Sequence, residues 1–222
     1  MEKATASKSA KSKTSQADKI KKAYKEYVLE NGTQPASIFK FVKELKIKED
    51  VFYEEFNSFD AVEQEIWLDL LTTTTETIQA EEVYDEYSAR EKLLAFYYTL
   101  IEVMKSDRSF ILQTAKFEPK PMMMPSFLKA FKKQFMEFID EVLLEATETE
   151  EVTARPYISD RYRDGIWVQF LFVVRFWVKD ESKGFEKTDA AIEKAVNLSF
   201  DLMGRGPLDA MVDFAKFLYQ NK

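Results

Sequence analysis

Residues 37–58 read SIFKFVKELKIKEDVFYEEFNS, and two short amphipathic patterns lie within this stretch. In the first pattern, the apolar residues recur three and four positions apart, as on one face of a helix: Ile38, Phe41, Val42 and Leu45. Residues 46–48 interrupt the pattern, which resumes over residues 49–56. The apolar residues of the second pattern are Val51, Phe52 and Phe56. The stretch therefore predicts two short helices joined by a tight turn.

Helical patterns also flank this stretch. Asp18 can cap a preceding helix that runs to about Asn31, where Gly32 supplies a stop. A longer helix begins after Ser58 and is expected to end at the threonines 72–75, which have low helix propensity. Three compact helices followed by a long one predict a helix-turn-helix head joined to a helical bundle.

The composition of the 222-residue chain favours helices throughout. Five glycines and six prolines are few for the turns of a β-sandwich or a Rossmann sheet, whereas 45% hydrophobic residues can build a full core. The predicted fold class is all-α, with about nine to ten helices. No strand and no internal repeat are predicted.

Several functions are excluded by what the sequence lacks. It contains no cysteine and no histidine, which excludes disulfides, Cys/His zinc sites and imidazole catalysis. We therefore predict no enzymatic activity, no cofactor and no metal. The longest apolar run, residues 166–178, is too short to cross a bilayer, and no secretory signal is visible. A cytoplasmic protein without membrane association is expected.

The N-terminal head resembles a known family. Residues 18–65 resemble, without a gap, the N-terminal signature of the TetR/AcrR-type transcriptional regulators, and Phe52-Tyr53-x-x-Phe56-x-Ser58 is its most diagnostic part. The matching residues are Gly32, Ser37, Ile38, Phe41, Val42, Leu45, Ile47, Val51, Phe52, Tyr53, Phe56, Ser58 and Val62. The resemblance implies a homodimer that binds double-stranded operator DNA and releases it when a small apolar ligand binds.

The resemblance also implies where DNA would be contacted. Residues 37–45 would form the supporting helix, and residues 48–54 the recognition helix in the major groove. The candidate DNA-binding residues are Ser37, Lys46, Lys48, Glu49, Val51 and Tyr53. The family usually has glycine where Lys46 stands, so a positive φ at this residue would strain the turn.

The charge of the predicted recognition region is unusual for a DNA-binding helix. Residues 20–60 carry seven lysines against eight acidic residues, although phosphates require cationic or neutral donors. Four of the acids lie in or beside the predicted recognition helix: Glu49, Asp50, Glu54 and Glu55. DNA binding would then depend on the lysines of the head and on a flexible basic arm, residues 1–17. A solvated terminus without a function is the alternative interpretation of the arm.

The C-terminal bundle offers two candidate sites. Apolar side chains that could line a ligand pocket between helices are Phe96, Tyr97, Leu100, Met104, Phe131, Phe135, Trp167, Phe170 and Leu171. Ordinary core packing is the alternative for each of them. Residues 161–179 are apolar nearly all round and need a cover on more than one side, which favours a two-fold partner. The candidate dimer contacts are Val174, Trp177, Leu198 and Leu202; the competing cover is the last helix, residues 207–220, of the same chain.

The predicted organisation is a flexible arm (1–17), a helix-turn-helix domain (18–62) and a helical ligand-binding and dimerisation domain (63–222). The predicted function is a TetR-like regulator. Three alternatives remain: a relative that has lost DNA binding and acts through protein contacts, an apolar-ligand carrier, and an enzyme.

Overall fold

The computed structural model describes residues 15–115, 125–156 and 158–221, which form ten α-helices and no strand. The helices are α1 (Gln16–Asn31), α2 (Ile38–Glu44), α3 (Glu49–Glu55), α4 (Phe59–Gln79), α5 (Ala89–Lys105), α6 (Arg108–Thr114), α7 (Lys129–Glu148), α8 (Tyr162–Lys179), α9 (Glu186–Met203) and α10 (Pro207–Gln220). The predicted all-α fold class is confirmed. Within the described ranges, no helix combines the length and the hydropathy of a membrane span.

α1 begins earlier than the sequence predicts. The Ser15 hydroxyl accepts a hydrogen bond from the Asp18 N–H at 3.0 Å, and the Asp18 carboxylate accepts one from the Ser15 N–H at 3.2 Å. This reciprocal capping box makes Ser15 the N-cap, so the predicted cap at Asp18 is wrong and residues 16 and 17 belong to α1. Residues 1–14 of the predicted arm lie outside the described residues.

α4 continues through the threonine run, where the sequence predicts its end. The Thr74 hydroxyl donates to the Leu70 carbonyl at 2.7 Å, and the Thr77 hydroxyl donates to the Thr73 carbonyl at 2.6 Å. Thr74 is fully buried, so its hydroxyl needs this partner inside the helix. Tertiary packing therefore outweighs the low helix propensity of threonine here.

The chain divides into two compact units, and the division falls within α4 between Glu63 and Gln64. In the first unit, α1, α2 and α3 surround buried aromatic rings, among them Phe41 and Phe52. In the second unit, α8 packs against α7 and α9, and α5 packs against the same two helices. The second unit therefore has its own continuous hydrophobic core.

Candidate functional site

The connection between α2 and α3 is a tight turn that contains a residue with positive φ. The Ser37 hydroxyl caps α2 by accepting from the Lys40 N–H at 3.3 Å. At the other end of α2, the Ile47 N–H donates to the Val42 carbonyl at 3.1 Å. Lys46 lies within the turn that this bond closes. Its φ is 56°, a left-handed conformation that favours glycine. The strain predicted for this position is therefore present.

The inner side of α3 is fixed by aromatic packing. Phe52 is fully buried and makes edge-to-face contacts with Phe41 and Phe59, with ring centroids 6.3 and 5.8 Å apart. Such contacts add to the energy of burial and restrict the orientation of each ring. Because Phe52 anchors α3 from one side, the opposite side of the short helix is presented to solvent.

Five of the six predicted DNA-binding residues are exposed: Ser37, Lys46, Lys48, Glu49 and Tyr53. Val51, the sixth, is half-buried. Glu49 and Tyr53 lie four residues apart and so share one face of α3, where 53% of the Tyr53 side-chain surface is exposed. Sequence reasoning missed Phe39, which is equally open to solvent on α2. Its only signal is that it falls outside the 38–41–42–45 apolar face.

Charge is separated along this surface. The lysines of α2 and the turn are all exposed: Lys40, Lys43, Lys46 and Lys48. The acids of α3 and its N-terminal turn are exposed as well: Glu49, Asp50, Glu54 and Glu55. These four lysines outnumber Glu44, the exposed acid of α2, so the α2 side attracts phosphates, whereas the acids of α3 repel them.

A partly buried polar contact connects α1 to α4. The Tyr24 hydroxyl donates to Oε1 of Glu63 at 2.7 Å. Burial raises the pKa of the Glu63 carboxyl above its ordinary value, and burial likewise raises the pKa of Tyr24, with the hydrogen bond to Glu63 adding to it. The contact fixes the start of α4 against α1.

The predicted ligand-pocket residues form part of the core of the second unit. Eight of the nine are buried, and Leu171 is half-buried against them. The rings pack on one another: Phe131 and Phe170 have centroids 4.6 Å apart, and Trp167 stacks on Phe170 at 5.0 Å. The Tyr97 hydroxyl donates to Gln169 at 3.1 Å. These contacts are those of core packing, and a ligand pocket among them stays a prediction.

Two of the four predicted dimer contacts lie in the core of the chain, and the other two lie on its surface. Val174 and Trp177 are fully buried in the core of their own chain, so they offer no surface to a second copy. Leu198 and Leu202 are exposed on α9, and the exposed apolar residues of α8 are instead Val168 and Phe172. The sequence pattern alone could not decide which side of the apolar α8 faces the core.

An apolar groove of about 640 Å³ runs between the outer sides of α8 and α9. Its lining includes Val168, Phe172, Phe176, Ala191, Ala195 and Leu198, with Lys187 and Lys194 at its edge. Val168 and Phe172 are exposed although α10 is present, so the alternative cover of α8 by the last helix of the same chain is wrong for this face.

These features define an all-helical protein of two compact units, with an exposed short helix in the first and an exposed apolar groove in the second. The family model described as tetracyclin repressor-like, C-terminal domain, matches residues 92–218, more than half of the chain. The chain therefore belongs to the tetracyclin repressor-like family. No curated protein matches its sequence.

Proposed function

We propose that this regulator acts as a homodimer, binds operator DNA through α2 and α3, and releases the DNA when a small apolar ligand binds the helical bundle. The observation that carries the proposal is the exposed outer side of α3, which Phe52 anchors from within. A helix-turn-helix needs such an exposed second helix to enter the major groove.

The groove and apolar face of α8 and α9 support the homodimer. An exposed apolar face on a folded chain marks an interaction surface, and a two-fold contact of like surfaces is the commonest solution. Two copies would carry two recognition helices for two half-sites.

Ligand control is a population shift, for which the ligand must bind the conformer that is incompetent for DNA more tightly. α4 supports the coupling because it begins in the first unit and ends in the second. The Tyr24–Glu63 contact ties α1 to the beginning of the same helix.

The test is a salt titration of binding to labelled DNA from upstream of the protein's own gene, read by fluorescence anisotropy. We expect the logarithm of the affinity to fall linearly with the logarithm of salt concentration. Lys48→Ala should weaken binding roughly 3- to 10-fold and reduce the slope by about one, whereas Lys129→Ala on α7 should leave both unchanged. Absence of affinity at low salt, with the dimer intact, would overturn the proposal.

The second candidate is a regulator-like protein that has lost DNA binding and acts through protein contacts. The exposed acids of α3 favour it, because they suit a basic protein surface better than phosphates. In the same titration, this candidate requires an intact dimer with no DNA affinity.

A further inference from the structure

α10 carries exposed apolar side chains along most of its length. The described ones are Met211, Phe214, Phe217, Leu218 and Tyr219, each of which is at least half exposed. The polar residues follow one another three and four positions apart, which places them on one side of the helix: Asp209, Asp213, Lys216 and Gln220. The helix is therefore amphipathic, and the described apolar side chains of its apolar side are open to solvent.

The base of α10 is fixed by one buried arginine. The Arg155 guanidinium donates to both carboxylate oxygens of Asp209 at 2.6 and 2.8 Å, and to the carbonyls of Met203 and Gly204 at 2.8 and 2.6 Å. The bond to Arg155 lowers the pKa of Asp209 to about 2. Arg155 also donates to the Tyr162 hydroxyl. The Arg155 hydrogen bonds thus fix the connection from α9 to α10, while the described side chains of residues 210–220 are exposed.

We propose that α10 is an exchanged arm that packs into the α8–α9 groove of a second copy of the chain, reciprocally in each dimer. The inference rests on the homodimer proposed above and names the element that completes its interface.

The dimensions of the arm and the groove agree. The groove is lined on α9 from Lys187 to Ser199, a span of about 18 Å at the helical rise, and α10 is about 20 Å long. Leu198 and Leu202 extend the exposed apolar surface of α9 beyond the groove, towards the end of the helix.

The area of the dimer interface also favours the exchange of α10. A stable interface buries on the order of 800 Å² per partner. The four exposed apolar side chains of α8 and α9 supply only a few hundred Å² of this area: Val168, Phe172, Leu198 and Leu202. The aromatic side chains of α10 each add roughly 100 Å² or more. With α10 included, the interface reaches the size that a stable dimer needs.

Charge selects a protein groove over a lipid surface. Helices that lie on membranes carry lysines and arginines on the polar side. The polar side of α10 has two aspartates and one lysine, whereas Lys187 and Lys194 border the groove. A second copy of the chain therefore fits this helix better than an anionic bilayer.

The absence of native cysteine allows a direct test by cross-linking. One tagged chain carries a single cysteine on α10 (Met211→Cys, Phe214→Cys or Leu218→Cys), and a differently tagged chain carries one in the groove (Ala191→Cys or Ala195→Cys). A disulfide needs Cα atoms less than about 7 Å apart, so the panel covers the unknown register. After co-expression and mild oxidation, we expect covalent pairs that contain both tags. Asp213→Cys, on the polar side, is the matched control and should give none.

A second measurement uses the triple variant Phe214→Gln, Phe217→Gln, Leu218→Gln, with Asp213→Asn as its control. These side chains are exposed in the single chain, so we expect the fold to persist and the dimer to weaken at least about 100-fold in sedimentation equilibrium. If the triple variant dimerises as tightly as the parent and no mixed disulfide forms, the proposed exchange of α10 is wrong, while the homodimer proposal stands. If the parent chain is monomeric at micromolar concentration, the homodimer proposal itself fails.

Discussion

At the level of single residues, the positive φ of Lys46 strains the turn of the proposed DNA-binding unit. A left-handed conformation costs an L-residue about 1 kcal/mol or more relative to glycine. We predict that Lys46→Gly stabilises the turn by about 0.5–1 kcal/mol and raises the hydrogen-exchange protection of α2 and α3. Lys43→Gly, inside α2, is the control and should lower protection by a similar amount. Lower protection in Lys46→Gly would contradict the assignment of strain.

Asp180 is the residue whose charge matters most to the join between α8 and α9. Burial by itself raises the pKa of this carboxyl, but hydrogen bonds from the N–H and hydroxyl groups of Ser182 and Thr188, 2.6 to 2.9 Å long, lower it well below its usual range. A lowered pKa contributes stability above the unfolded value near 4, and that stability is lost as the pH falls through the folded value.

We predict that Asp180→Asn lowers the thermal midpoint at pH 7, because an amide replaces one acceptor oxygen by a donor. Its loss of stability between pH 4 and pH 2 should be shallower than that of the parent chain. Calorimetry over this range, with the exposed Glu181→Gln as control, provides the check; parallel pH profiles for parent and variant would refute the role of Asp180.

At the level of elements, α3 is exposed as a DNA-recognition helix must be, but its acidic side chains repel phosphates. Removing two of its acids, by Glu54→Gln and Glu55→Gln, should raise DNA affinity several-fold at low salt, with a gain that shrinks as salt screens the repulsion. Glu148→Gln, at the end of α7, should change nothing. An unchanged affinity in the double variant would mean that these acids do not face DNA.

How far the sequence predicts an element depends on whether local or tertiary contacts decide it. The start of α5 is decided locally, by a capping box of Ser88 and Glu91 in which the Ser88 hydroxyl accepts from the Glu91 N–H at 3.3 Å. The continuation of α4 through its threonines depends on burial of Thr74, which no local pattern reveals. The orientation of α8 likewise depends on which side its neighbours occupy, so no local pattern separates the buried Val174 and Trp177 from the exposed Val168 and Phe172.

At the scale of the whole molecule, the exposed apolar residues of α9 should control assembly. We predict that Leu198→Glu weakens the dimer at least about 100-fold, because a carboxylate that must lose its water replaces an apolar contact at the interface. Leu144→Glu is the matched control, since Leu144 is similarly exposed but lies on α7. Analytical ultracentrifugation distinguishes the two. Equal effects of both substitutions would show that the α8–α9 face has no special role.

The central claim is that two copies of the chain read one operator. Native mass spectrometry of the protein with a duplex selected from a random pool tests it most directly. We expect a complex of two 26.0 kDa chains on one duplex. A selection that yields no bound duplex, or a complex that holds a single chain, would contradict it.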